Sequence, residues 1–234
     1  MKVAVHQPHY LPWLGYLAKW AAADLFVFLD TVQYQKNGWQ NRNRVKTAAG
    51  PRWLTVPVRA SLGTPISAVE IDTGQPWARR HLRTIEGAYA RAPHFPRLAG
   101  ALREFYAQPW RRLAPLAMAS ARWLAEAVGI TTPCCPASSL GVEAADPTGR
   151  LVALCRAVGA TVYLSGPDGV RYLDLDRFAE AGIAVRVQRY DHPVYAQVHG
   201  DFVPYLSALD LLLMHGNEAL DILRKGDAWV EPSP

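Results

Sequence analysis

The sequence predicts an α/β fold: a mostly parallel sheet with flanking helices, an antiparallel hairpin and a helical insertion. Three observations predict it. The chain opens strand, helix, strand within about thirty residues, the length of one parallel βαβ unit. Two further buried strands, at residues 161–164 and 183–190, again alternate with helical stretches. A polar stretch with turn signals and an alanine- and leucine-rich helical block interrupt this alternation. With 234 residues, half of them hydrophobic and eight of them Trp, the chain can bury a sizeable core and is not disordered. It reads as one domain over residues 1–234.

The apolar run KVAV at residues 2–5 is a buried strand. It ends in His6-Gln7-Pro8-His9-Tyr10-Leu11-Pro12, where two prolines in five residues exclude regular helix or central strand and leave a shaped loop. Residues 13–23 form an apolar helix, and residues 25–29 (LFVFL) a second buried strand that stops at Asp30. The crossover makes the two strands parallel neighbours. His6 and Asp30 then both stand at carboxyl ends, the edge where open α/β sheets bind ligands, and are expected to meet as an oriented acid/base pair.

After Asp30 the composition turns polar: TVQYQKNGWQNRNRVK over residues 31–46. Residues 41–47 are expected to pair with 52–58, turning through Ala49-Gly50-Pro51. Gln33, Gln40, Asn41, Arg42 and Asn43 offer amide donors and acceptors and a guanidinium fork beside the sheet edge, so they are expected to bind substrate. Residues 66–71 make another strand. The block from about 76 to 129 reads as three helices (77–90, 98–107 and 110–128), either an insertion or a lid. Its arginines read as a solvated face and its aromatics as core.

Pro133-Cys134-Cys135-Pro136 offers a thiol, but nothing local lowers its pKa. Asp146 and Pro147 start a helix to about residue 158. The strand at 161–164 ends in Ser165-Gly166-Pro167-Asp168-Gly169, whose glycines permit close backbone approach and whose amides can hold an oxyanion. Tyr172 follows on the way into a helix over 175–181. A third strand end delivers Asp191-His192-Pro193-Val194-Tyr195 and Gln197. An amphipathic helix over 202–215 follows, and the tail beyond Trp229 is expected to fray.

Twenty-five basic against twenty acidic residues leave a net charge of +5. That suits an anionic small molecule or a carrier protein and is too small to argue for nucleic-acid binding. Three cysteines make no disulfide framework, no metal-ligand spacing occurs, and no stretch has the length of a signal peptide or a membrane span. The expected location is cytoplasmic, with no membrane partner.

The run from His6 to Tyr16 resembles the N-terminal signature of the WbqC-like family. Phe28-Leu29-Asp30, Val32-Gln33-Tyr34, Trp39-Gln40-Asn41-Arg42-Asn43, Tyr163-Leu164-Ser165-Gly166, His192-Pro193-Val194-Tyr195 with Gln197, and Ser207-Ala208-Leu209-Asp210 carry the resemblance along nearly the whole chain, in order. His9 departs from it, standing where Asn is typical. The resemblance implies a place in bacterial surface-polysaccharide or specialised-metabolite biosynthesis, beside acyl- or aminoacyl-transfer steps. The implied reaction is amide formation on an amine substrate such as an amino sugar. His6 or His192 would be the base and Asp30 its orienting partner. Donors would come from Ser165, Gly166, Asn41 or Asn43, phosphate binding from Arg42 and Arg44, and further substrate contacts from Gln7, His9, Tyr10, Tyr195 and Gln197. The resemblance fixes no cofactor. An acyl thioester, an acyl carrier protein or an aminoacyl donor would supply the acyl group, and nucleic acid would enter only as an aminoacyl carrier. Two alternatives stand beside this. The strand, His-x-x-His loop and helix are similar to nucleotidyltransferase-type folds that use ATP to activate a carboxylate or transfer a nucleotidyl group. The third reading is a non-catalytic small-molecule-binding protein.

Overall fold

The computed structural model describes residues 1–169 and 173–232, so Tyr172 lies outside the described residues. Among the described residues, ten strands and eight α-helices follow in chain order. They are β1 (Lys2–His6), α1 (Leu14–Ala21), β2 (Leu25–Phe28), β3 (Arg42–Thr47), β4 (Gly50–Thr55), β5 (Val58–Arg59), β6 (Glu70–Ile71), α2 (Trp77–Tyr89), α3 (Phe95–Ala107), α4 (Leu113–Val128), β7 (Cys134–Pro136), α5 (Pro147–Ala157), β8 (Val162–Ser165), α6 (Leu175–Glu180), β9 (Ala184–Tyr190), α7 (Ala208–His215), α8 (Ala219–Lys225) and β10 (Asp227–Val230).

Six strands form one sheet in the order β10-β9-β8-β1-β2-β7. Every pairing in it is parallel except β9 with β10. The order explains where a ligand can enter. From β1 the chain moves outward through β2 to β7, then returns to the other side of β1 for β8, β9 and β10. The reversal falls between β1 and β8, and the carboxyl ends on either side of such a switch point open into a crevice.

Alternation along the strands divides the core into two layers. Val3, Val5, Val27, Tyr163 and Val185 face α5 and α6, where Leu151, Val152, Leu154 and Phe178 cover them. Ala4, Phe26, Phe28 and Leu164 face α1, where Trp20 stacks on Phe26 with ring centroids 4.5 Å apart. His6 continues the Ala4 face and so meets α1, its ring 4.6 Å from that of Tyr16.

The helical block α2–α4 belongs to the larger core. Leu102, Leu116, Leu124 and their neighbours share one apolar cluster with α1 and α7, and Ser120 Oγ accepts the Leu11 amide at 2.9 Å. No residue of α2–α4 lines the crevice at the switch point. The block supports the sheet and does not cover that crevice.

Several local expectations shift. The hairpin turns through Ala48 and Ala49, so β4 begins at Gly50, whose φ of +98° suits glycine. Residues 66–68 make a 3₁₀ turn before the two-residue β6. The helix expected over 202–215 is only Ala208–His215. Ser207 caps it, accepting from the Leu209 amide at 3.2 Å, and residues 202–206 are not helical. An unexpected strand, β10, covers the β9 edge, and of the tail beyond Trp229 only Val230 belongs to it. Cys134-Cys135-Pro136 is an edge strand on β2, placed so that its proline ends the ladder.

Candidate functional site

A cleft of about 610 Å³ opens at the carboxyl ends of β1 and β8. His6, Gln7 and His9 line it after β1, and the loop Ser165–Gly169 lines it after β8. Tyr16 and Lys19 of α1 line it too, while Trp13, Trp39, Arg44 and Tyr205 complete its border. Gly15 is needed for this lining: a Cβ there would stand 2.2 Å from the Trp13 ring.

His6 is half-buried, and its Nδ1 donates to the Gln7 carbonyl at 3.1 Å. A carbonyl only accepts, so this bond fixes the tautomer with the lone pair on Nε2. Burial, and then the nearby Lys19, push the His6 pKa well below its ordinary value. His9 packs edge-on to His6 at 4.6 Å and stacks on Tyr16 at 4.9 Å. It is 6% exposed, its Nδ1 has no partner, and burial followed by Lys19 lowers it to about 3. Both imidazoles are neutral at physiological pH.

Lys19 is the residue that the sequence reading missed. It is 2% exposed, yet its Nζ borders the cleft and donates to the Val5 carbonyl at 3.2 Å. Burial alone lowers it to about 7. A signal was present. The other residues of α1 from Leu14 to Trp20 are apolar or small and the helix is buried on all sides, so its one lysine had no route to solvent.

The structure redistributes the expected site residues. His6, Gln7, His9, Ser165 and Gly166 line the cleft together. Ser165 Oγ donates to the Gly166 carbonyl at 3.0 Å. Gln40 supports the rim: its Nε2 donates to Gln7 Oε1 at 2.7 Å, and its Oε1 accepts the Gln35 amide at 3.0 Å.

Asp30 does not pair with His6. It lies on the β2 side of β1, away from the switch point. Both its carboxylate oxygens accept from Ser138, one from the amide at 2.9 Å and one from Oγ at 2.7 Å, so it caps the turn at residues 137–140. His192 also stands apart. Its Nδ1 donates to the Pro193 carbonyl, its Nε2 is buried without a partner, and it approaches the cleft only through the Tyr205 ring at 5.3 Å.

Tyr10 turns into the core. His81 Nε2 donates to the Thr55 carbonyl at 3.2 Å, leaving Nδ1 to accept from Tyr10 Oη at 2.9 Å, and Tyr10 Oη then accepts from Tyr106 at 2.6 Å. Asn43 is structural as well, donating to the Leu11 carbonyl at 2.6 Å. Tyr195 is buried against Phe202 and His215. Gln197 clasps Val203 through both its amide and its carbonyl. Gln33, Asn41 and Arg42 line a separate groove of about 740 Å³, in which Arg42 lies over the Trp53 ring at 4.4 Å.

Burial raises the pKa of the Cys134 and Cys135 thiols, which argues against a thiolate nucleophile. Among the described residues no cluster of His, Cys, Asp and Glu has the geometry to hold a metal ion, and no helix is long and apolar enough to cross a membrane.

No solved structure matches the chain. A curated relative, the uncharacterized protein Rv1507c of Mycobacterium tuberculosis (strain ATCC 25618 / H37Rv), is 40% identical over 228 residues, covering 95% of this chain and 97% of that protein. The family profile described as WbqC-like protein family matches residues 7–222, which takes in every wall of the cleft from Gln7 onward, and the chain belongs to that family.

Proposed function

We propose that the protein forms an amide bond on an amine substrate by acyl or aminoacyl transfer, within a biosynthetic pathway, and that the β1/β8 cleft is where it does so. One observation carries the reading: a neutral histidine at a switch-point strand end, with Nδ1 tied to a carbonyl and the Nε2 lone pair unengaged. That is the state a general base needs before it acts.

The amine nitrogen attacks the acyl carbonyl, and His6 Nε2 takes the proton that the nitrogen sheds. The carbonyl oxygen gathers negative charge, for which the Ser165–Gly169 loop, lining the same cleft, would supply backbone amides. The intermediate collapses with cleavage of the carbon–sulfur or carbon–oxygen bond to the donor. The His6 imidazolium returns its proton to the departing thiolate or alkoxide, so the cycle balances without ATP. Burial and the Lys19 field keep His6 unprotonated between turnovers.

The test is product formation. Purified protein given an amine and a thioester or aminoacyl donor is expected to yield an amide without nucleotide hydrolysis. No amide from any donor of either class would remove the reading. One feature favours a second one. His9 and Lys19 bring a neutral imidazole and a chargeable amine into one cleft, which suits the phosphates of an adenylating enzyme that uses ATP. Carboxylate-dependent release of pyrophosphate would select it.

A further inference from the structure

We propose that the inner end of the cleft is a binding subsite for a phosphoryl group of the substrate, with Lys19 as its principal ligand and His9 and the Gly166 edge as its sides. The proposal rests on the reading that this cleft is where substrate binds, and it adds the chemistry that the substrate must carry.

Three observations converge on the spot. Lys19 is almost wholly buried and has a single hydrogen bond, to the Val5 carbonyl, so two of the three donors of its charged form are unspent. Burial of such a cation is costly unless something compensates it, and burial is the only influence resolved on it. His9 supplies the second observation. The residue lines the same cleft, and its Nδ1 is buried with no partner, an unmet polar atom of the kind that native structures seldom leave. The third is Gly166. A Cβ there would meet nothing closer than Lys19 Nζ at 4.0 Å, so the missing side chain leaves an open approach to the ammonium group.

A tetrahedral oxyanion fits this spot better than a planar carboxylate, because Lys19 reaches it from α1 and His9 from the 6–9 loop, with open space left at Gly166, instead of from one plane. Asp168 also lines the cleft, on the 165–169 loop. The anion also solves a chemical problem that the proposed reaction creates. A neutral lysine amine beside an activated acyl group would capture it as a stable amide and end the enzyme's life. An anion seated on Lys19 holds the proton on Nζ, so the amine cannot attack while substrate is present.

Sulfate tests the subsite directly, since its own charge does not change near neutral pH. Isothermal titration of the full chain at pH 7.5, in buffers of differing ionisation enthalpy, is expected to show sulfate binding with proton uptake, weakening as pH rises above about 7. Lys19→Met is expected to lose the uptake and at least about tenfold in affinity, as removal of a charge-assisted bond does. Gly166→Ala serves as the second variant. It leaves Lys19 in place and sets a methyl before it, so it too is expected to weaken sulfate while keeping the wild-type Tm. Sulfate binding unchanged from wild type in both variants would put the anion elsewhere, for instance in the groove of Arg52, Arg79, Arg80 and Arg83, and would overturn the proposal. So would no binding at all, or tighter binding of acetate than of sulfate. Amino-sugar phosphate and coenzyme A then identify the source of the phosphoryl group: the one whose affinity depends on Lys19 carries it. Sulfate binding without amide formation would keep the subsite and remove the transferase reading.

Discussion

Two regions bury polar side chains, and the groups buried deepest in each differ in how far they are satisfied. On β3, Asn43 donates to Leu11 and accepts from the Arg44 amide, while Lys46 donates to the carbonyls of Gly200 and Asp201. Across the switch point, His6 keeps a free Nε2, His9 an unpartnered Nδ1 and Lys19 two unspent donors. A buried polar group with all its bonds made holds the fold. One with bonds unmade has been left for something else to complete. Polarity in the sequence is the same in both regions, so the difference lies in tertiary hydrogen bonding alone.

The comparison breaks most visibly in acid. His9, at about 3 in the folded chain, and His81, at about 4, must both take up protons that the unfolded chain binds near 6.5, and His6 is shifted the same way. The unfolded state therefore holds more protons through this window, and stability falls as pH drops from about 6.5 towards 3. Denaturant titrations at stepped pH are expected to show that fall. His9→Asn should flatten it, and an unchanged slope in that variant would mean that His9 is not buried neutral.

Within the cleft, His6→Ala is expected to cut amide-forming turnover about 100-fold or more while leaving Tm nearly unchanged, as loss of a general base does. On β3 the reverse holds. Asn43→Ala strands the Leu11 carbonyl and is expected to cost about 1–3 kcal/mol in urea denaturation, with turnover per folded molecule intact. If Asn43→Ala were instead silent for stability and harmful to turnover, satisfaction of hydrogen bonds would be the wrong criterion. The smallest expected effect is at Asp30. Asp30→Asn weakens the cap on residues 137–140 by about 1 kcal/mol and should change turnover less than about threefold. A 100-fold loss there would restore the His6–Asp30 pairing that the geometry denies.

Much of the fold was legible because it is periodic. The KVAV and LFVFL runs, the proline-bounded loop and Asp146-Pro147 each act through neighbours in sequence, and each became the expected element near its expected bounds. β10 and β7 were not legible, since a four-residue edge and a Cys-Cys-Pro strand owe their form to the sheet they join. At the site, His6 and the Ser165-Gly166 loop were legible from their places at strand ends. Their meeting with each other was not, because the notion of adjacent strands pointed from β1 towards β2 and Asp30, whereas the chain's later return lays β8 on the opposite flank. Tyr10 and Asn43 looked like recognition groups for want of their partners, which lie distant in sequence at Tyr106 and His81 and at Leu11.

The cleft draws its walls from segments scattered between residue 5 and residue 205. No fragment of the chain holds it, and the unfolded polypeptide offers a ligand nothing comparable. Any molecule that fits must therefore shift the melting transition by mass action, by about 2.7 kcal/mol at a hundredfold excess over its Kd. Thermal-shift screening of metabolites can thus find the natural substrate before its reaction is assayed.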